Sequence, residues 1–155
     1  MFLIAHDDER LISFSMHVGD GLTEAEVQAI VDSIERSTAL LARAGNDVVF
    51  TTVVVVDTDH GPTAGQRKRI GQASKLLARS NQVLVTRSAV VRAMMTAMRW
   101  FAPADAHNHQ ETFATYEEAR AWIVQRSGHP AHVFDAMRAE LLGRMRARTT
   151  PRSSA

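Results

Sequence analysis

The sequence predicts an α/β protein built on one mixed, mostly parallel sheet of about five strands. A chain of 155 residues, 45% of them hydrophobic, is long enough for a single domain with one substantial core. Residues 47–56, DVVFTTVVVV, form a β-branched run without clean alternation, which is typical of a central strand covered on both faces. Thr23 with Glu26, and Thr115 with Glu118, have the capping-box spacing that begins a helix. Strands that alternate with helices imply parallel neighbours joined by right-handed crossovers.

The N-terminal part predicts a hairpin followed by a helix. The stretches FLIAH (residues 2–6) and RLISFSMHV (residues 10–18) are typical of two strands, with the polar turn DDE between them. The first helix begins at the Thr23 cap and ends at Gly45. Its apolar residues recur at helical spacing: Val27, Ile30, Val31, Ile34 and Leu41.

The middle of the chain predicts two more helices around another buried strand. A helix over residues 62–79 would turn Ile70, Ala73 and Leu77 inward, and QVLVT (residues 82–86) would be the strand. Ser88 can cap the next helix. The apolar stripe of that helix, which we interpret as core packing, consists of Val91, Met94, Met95, Met98 and Phe101.

The last third predicts a polar edge strand and two helices. The strand is HNHQETFA (residues 107–114), and the helix over residues 116–126 would bury Ala119, Trp122 and Ile123. A final helix starts at Pro130, and its tail frays from Arg146 onward. Its apolar stripe consists of Phe134, Met137, Leu141 and Met145. Such a stripe packs either on the open face of the sheet or on a partner, for which a symmetric homodimer is the commonest arrangement.

Composition restricts the classes of function. The chain has no cysteine, which excludes disulfides and thiolate metal sites. The start MFLIAHDDER is unlike a signal peptide, and no apolar run is long enough for a membrane span, so we expect a cytoplasmic protein without a cofactor. Residues 1–59 carry a net charge of −8 and residues 60–104 a net charge of +8. This segregation could create a basic face for phosphate or for an acidic partner, but the simpler interpretation is that acidic and basic helices lie side by side or are solvated. Nucleic acid is a poor candidate partner because few aromatic residues accompany the basic ones.

These elements resemble the STAS domain, the fold of anti-sigma-factor antagonists, in its divergent bacterial branch. The resemblance lies in the order of elements, in the aspartate that ends the third strand, and in the segments VLVTRSAVVRAMMTAMRWF and FATYEEARAWI. It covers residues 2–127. The chain would then comprise a STAS-like domain (residues 1–127), an added amphipathic helix (128–147) and a disordered tail (148–155).

The resemblance implies a non-catalytic regulatory or protein-docking module. In the antagonists, the loop after the third strand carries a serine that a partner kinase phosphorylates, directly before a glycine at a helix start. Here neither His60 nor Asp59 can accept phosphate as serine does, and Thr58 and Thr63 are the nearest hydroxyls. We therefore hypothesise that Asp59 supplies a permanent charge and that docking is constitutive. The predicted docking loop consists of Asp57, Thr58, Asp59, His60, Gly61, Thr63 and Arg67.

A second interpretation is catalytic. An apolar strand that ends in Asp57-x-Asp59 resembles the first motif of haloacid-dehalogenase-type phosphatases, in which the first aspartate attacks phosphorus and the second handles the proton, with Mg²⁺ bound. Thr86, at the end of the next strand, resembles the second motif of that family. However, Gly61 stands where that family has a hydroxyl residue, and residues 60–104 hold no acid that could complete the metal site.

Two further interpretations concern ligands. His107 and His109 alternate on a predicted strand and so share a face, and His129 and His132 lie three apart near the start of the last helix; imidazoles of this kind can bind zinc or nickel. Surface histidines without a metal are the simpler interpretation. A small apolar or anionic ligand, or a lipid, bound between sheet and helices is the other alternative.

Overall fold

The computed structural model of the protein describes residues 1–45, 47–77, 79–93 and 108–149. The strands are β1 (Phe2–Asp7), β2 (Ile12–Val18), β3 (Phe50–Asp57), β4 (Ser80–Thr86) and β5 (Asn108–Phe113). The helices are α1 (Glu24–Ala44), α2 (Ala64–Ser74), α3 (Tyr116–Ser127) and α4 (Ala131–Thr149). The sheet order is β1-β2-β3-β4-β5, with β1 antiparallel to β2 and all other neighbours parallel. The predicted α/β class with a mixed, mostly parallel sheet is confirmed.

The helices form one layer on each face of the sheet. Because the strand order never reverses, successive right-handed crossovers place α1 and α2 on the same face, where they contact each other. The other face is covered by α3, which contacts β4 and β5, and by α4, which contacts β1 and β2. We call these the α1 face and the α4 face.

The main hydrophobic core lies on the α4 face. Phe14, Val53 and Val83 from the sheet pack there against Ile123 and other helix residues. A smaller cluster, Leu11, Leu41, Phe50 and Leu77, lies on the α1 face. β3 is the central strand with helices on both faces, as predicted, although the α1 face has the smaller cluster. Val53 is 1% exposed, whereas residues 54–56 are only half-buried and the strand ends in the exposed Asp57.

Helix α4 is part of the domain core. Its apolar stripe packs on the sheet, with Phe134 and Leu141 fully buried. Arg144 also donates from Nη1 to the carbonyl oxygen of Ile4 (2.8 Å) on β1. The helix begins at Ala131 and continues to Thr149, beyond the predicted limit at residue 147, so the predicted tail starts too early. Residues 150–155 lie outside the described residues, and a homodimer through this helix stays a prediction.

Two other predicted helices differ from the observed ones. α2 ends at Ser74 rather than near residue 79, because Leu76 and Leu77 donate to the carbonyls three residues back and tighten the chain into a turn. Leu77 is buried as predicted, whereas Ile70 is half-buried. After β4, residues 89–93 are helical and Ser88 Oγ accepts from the Val91 amide (3.3 Å), as a cap does. The predicted stripe Met94, Met95, Met98 and Phe101 lies outside the described residues.

Among the described residues, no helix combines the length and the hydropathy that a bilayer span requires.

Candidate functional site

The predicted docking loop lies at the edge of the sheet where the parallel strands end. Val18 of β2 pairs with Asp57 of β3, and Val56 pairs with Thr86 of β4, so these strands finish side by side. We call residues 18–23, 57–63 and 86–88 the carboxyl edge. In parallel sheets this edge is where binding residues collect on loops.

The start of α2 is fixed by a capping box that the sequence analysis missed. Thr63 Oγ1 accepts from the Gln66 amide (3.3 Å), and Gln66 Oε1 accepts from the Thr63 amide (3.0 Å). Gln66 is buried, and its Nε2 also donates to the carbonyl of Leu22 (2.9 Å) and to Glu24 Oε1 (3.1 Å). The Thr-x-x-Gln spacing was the available signal. Gln66 thus joins the starts of α1 and α2.

The loop itself is held by two more hydrogen bonds. Thr58 Oγ1 accepts from the His60 amide (3.0 Å), and Arg67 Nη1 donates to the carbonyl of Pro62 (2.7 Å). Both hydroxyls that were predicted as substitutes for the phosphorylated serine, those of Thr58 and Thr63, therefore accept a backbone N–H. These bonds constrain the loop backbone at His60 and Pro62, next to the capped first turn of α2.

Three side chains of this loop point outward. Asp57, Asp59 and His60 are exposed, and within residues 1–45, 47–77, 79–93 and 108–149 their side chains have no hydrogen bond or ion pair. The two carboxylates precede α2, whose first turn contains no acidic residue. Both carboxylates are exposed, so they keep their hydration and no burial cost arises at the end of the apolar strand.

The residues of the phosphatase interpretation lie at the same edge but in different environments. Thr86 is 2% exposed, and its Oγ1 accepts from the Ser88 amide (3.2 Å), whereas Asp57 and Asp59 are exposed. The sheet also has no reversal of strand order beside β3, which is the feature that opens a ligand crevice in doubly wound sheets. In the part of the chain that the structure describes, no three His, Asp or Glu side chains are grouped so as to hold a metal ion.

The histidines proposed as metal ligands are dispersed. His109 is half-buried on β5, and His107 lies outside the described residues. His132 is exposed on α4, and the ring of His129 contacts the ring of Phe134, with 6.4 Å between centroids.

The predicted pairing of acidic with basic helices is seen where Arg69 Nη1 of α2 donates to Glu24 Oε2 of α1 (2.7 Å).

A second group of polar residues, on β1 and β2, was not predicted. Ser13, Ser15 and His17 alternate with Phe14 and Met16 along β2, so the polar residues face α1 and the apolar ones face the core. All three polar residues are buried. The alternation was visible in the sequence, but it is equally typical of a strand with one face in water.

Replacing Thr63 by alanine should destabilise the start of α2. Loss of the capping hydroxyl is expected to lower the free energy of unfolding by about 1 kcal/mol, measured by urea denaturation. Thr115→Ala removes the matching cap of α3 and should cost a similar amount. If Thr63→Ala cost nothing, the cap would not be holding the loop.

Comparison of this chain with protein-family models, with curated proteins and with solved structures gives no significant match.

Proposed function

We propose that this protein is a non-catalytic docking domain that binds a protein partner through the loop after β3 and the first turn of α2. One observation carries the proposal: the side chains of Asp57, Asp59 and His60 are exposed and have no partner among the described residues, on a loop whose backbone hydrogen bonds already constrain. A surface that is ordered before binding loses little conformational entropy when the partner docks. Exposed charges on such a surface speed association and select the partner.

The resemblance to STAS domains supports the same site. In the antagonists the equivalent loop is the regulatory contact with a partner, which places such a protein in the bacterial cytoplasm. In this chain Asp59 would take the place of the phosphorylated residue, and its charge would be permanent. The proposed domain is therefore a constitutive regulatory module rather than a phosphorylation switch.

Substitutions in the loop test this proposal. We expect Asp59→Asn to weaken capture of the partner from the native cytoplasmic extract by at least fivefold, because it removes an exposed charge at the proposed contact. Thr58→Ala should leave capture unchanged, since no phosphorylation is required. Asp47→Asn is the matched control, because Asp47 is an exposed acid before the opposite end of the same strand. Quantitative mass spectrometry of the captured proteins provides the measurement.

The reverse pattern would contradict the proposal. If Thr58→Ala abolished capture and Asp59→Asn did not, the loop would act as a phosphorylation switch instead. An activity assay addresses the catalytic alternative: Mg²⁺-dependent hydrolysis of p-nitrophenyl phosphate that disappears in Asp57→Asn would establish the phosphatase interpretation.

A further inference from the structure

The contact between α1 and the β1–β2 hairpin contains several buried polar residues. On the α1 face, β2 presents Ser13, Ser15 and His17, which are 4–5% exposed, and β1 presents the partly buried His6 together with the apolar residues at positions 2 and 4, which pair with β2 on the same face. Ser13 Oγ donates to Thr52 Oγ1 of β3 (3.2 Å). The main core on the opposite face contains the other alternating residues of the hairpin: Leu3, Ala5, Ile12, Phe14 and Met16.

Helix α1 is held at both ends and by an ion pair to the hairpin turn. At its start, Glu26 Oε1 accepts from the Phe2 amide (2.7 Å), and at its end Leu41 packs in the small cluster. Between these points the helix buries only Val27 and Ser37. The middle of α1 therefore buries little apolar surface, and such segments are prone to local opening.

The two histidines beneath α1 each have an unsatisfied ring nitrogen. His6 Nδ1 and His17 Nε2 are buried and have no hydrogen-bond partner among the described residues. Burial disfavours the charged form of an imidazole and lowers the pKa of both rings in the closed structure. A proton added at His6 Nδ1 or His17 Nε2, the two buried nitrogens, would be poorly solvated until α1 moved away.

Some groups around His6 lower its pKa and one raises it. Burial lowers the pKa of His6, the Arg36 guanidinium of α1 lowers it further, and Asp8 in the hairpin turn opposes them. Asp8 is also paired with Arg36. From the other side, the hairpin turn and α4 contribute the charged or titratable residues that share a groove with His6: Asp7, Arg10, His132 and Glu140.

The pKa of His17 is also lowered, although some groups oppose the shift. Burial lowers its pKa, and the amino group of Met1 lowers it further. Glu26 of α1 and the backbone of Asp20 raise it, but burial outweighs them. The carboxylate oxygens of Glu26 accept from the Phe2 and Thr23 amides, so Glu26 is fixed at the start of α1.

We propose that the α1–hairpin contact is a pH-sensitive element, in which protonation of His6 and His17 releases α1 from the sheet while α3 and α4 remain packed on the other face. The neutral rings fit the closed contact, and the charged rings require water. Because Gln66 joins the starts of α1 and α2, release of α1 also loosens the carboxyl edge. This inference stands independently of the proposed docking function.

Hydrogen exchange at a series of pH values tests the proposal on the wild-type chain. Between pH 6.5 and 5.5 we expect the protection factors of α1 amides to fall by up to about tenfold for each histidine that takes up a proton on opening. At pH 5.5 α1 amides should be at least tenfold less protected than those of α4. Equal protection in α1 and α4 would mean that α1 opens only by global unfolding, and the proposal would be wrong.

Substitutions test whether His6 and His17 cause the fall in α1 protection. In His6→Gln/His17→Gln the fall in α1 protection on acidification should disappear, whereas His132→Gln, at an exposed histidine of α4, should retain it. Persistence of the fall in the double variant would overturn the proposal. Should that variant not fold, NMR titration of wild-type imidazoles decides: His6 and His17 must titrate below pH 6.5, and titration at or above that pH would refute the mechanism.

Discussion

Replacing Phe134 by alanine is expected to lower the free energy of unfolding by about 3–5 kcal/mol, because the ring is fully buried between α4 and the sheet. Leu141 lies about two helical turns further along α4 and is also fully buried, so Leu141→Ala should cost about 2–5 kcal/mol. Urea denaturation of each variant at neutral pH gives both values. Losses of this size are a large fraction of the total stability of a single domain.

Leu76→Ala is the matched control for Leu141→Ala. Leu76 is 58% exposed, so the same substitution there should change stability by less than about 0.5 kcal/mol. If the two α4 variants also lost less than 1 kcal/mol, α4 would be an appendage to a domain complete without it. Its apolar stripe would then be available to a partner, as the homodimer hypothesis requires.

The sequence could not predict whether α4 packs on the sheet or on a partner, because the apolar stripe of a helix does not identify the surface that it contacts. Helical spacing identified Phe134, Met137 and Leu141 as one face, and all three are buried. The strands that α4 contacts, β1 and β2, lie more than 100 positions earlier in the chain. A pattern within one helix carries no information about a contact at that separation.

Predictions from short sequence patterns were confirmed where residues close in the chain determine the local structure. The caps at Thr23 and Thr115 are formed as predicted, since each depends on residues three positions apart. The β-branched run became β3 for a similar reason. The position of the docking loop followed from topology, because parallel strands end at one edge. In contrast, the link from Gln66 to Leu22 joins residues 44 positions apart, and no local pattern predicts it.

The burial of His17 illustrates the same limit. A strand with alternating polar residues usually has one face in water, and here that face is covered because the crossover after β2 returns α1 over it. The sequence indicated which residues share the face, but the strand order determined whether water reaches it.

Glu26 is expected to be the most important single charge for stability. Partial burial by itself raises its pKa, but hydrogen bonds from Thr23 and Phe2 and the nearby amino group of Met1 outweigh burial and lower the pKa to about 2. A carboxyl whose pKa is lower in the folded than in the unfolded chain stabilises the fold at neutral pH. Because the side chain is still 20% exposed and solvent screens it, we expect a contribution of about 2 kcal/mol.

This contribution should depend on pH in a defined direction. Well above pH 4.5 Glu26 is ionised in both states and the stabilisation is complete. As the pH falls from 4.5 to about 2, the unfolded chain takes up the proton first, so the free energy of unfolding decreases. Urea denaturation of wild type and Glu26→Ala at several pH values should therefore give curves about 2 kcal/mol apart at pH 7 that converge near pH 2.

Glu118→Ala separates the helix cap from the contact with β1. Glu118 forms the same capping box with Thr115, but its carboxylate accepts from no strand amide among the described residues. We expect this variant to lose about 1 kcal/mol or less. Since Glu26 also accepts from the Phe2 amide, the difference between the two variants measures the tie between α1 and β1. Equal losses would show that the cap alone accounts for Glu26 and that the amide of the edge strand adds nothing.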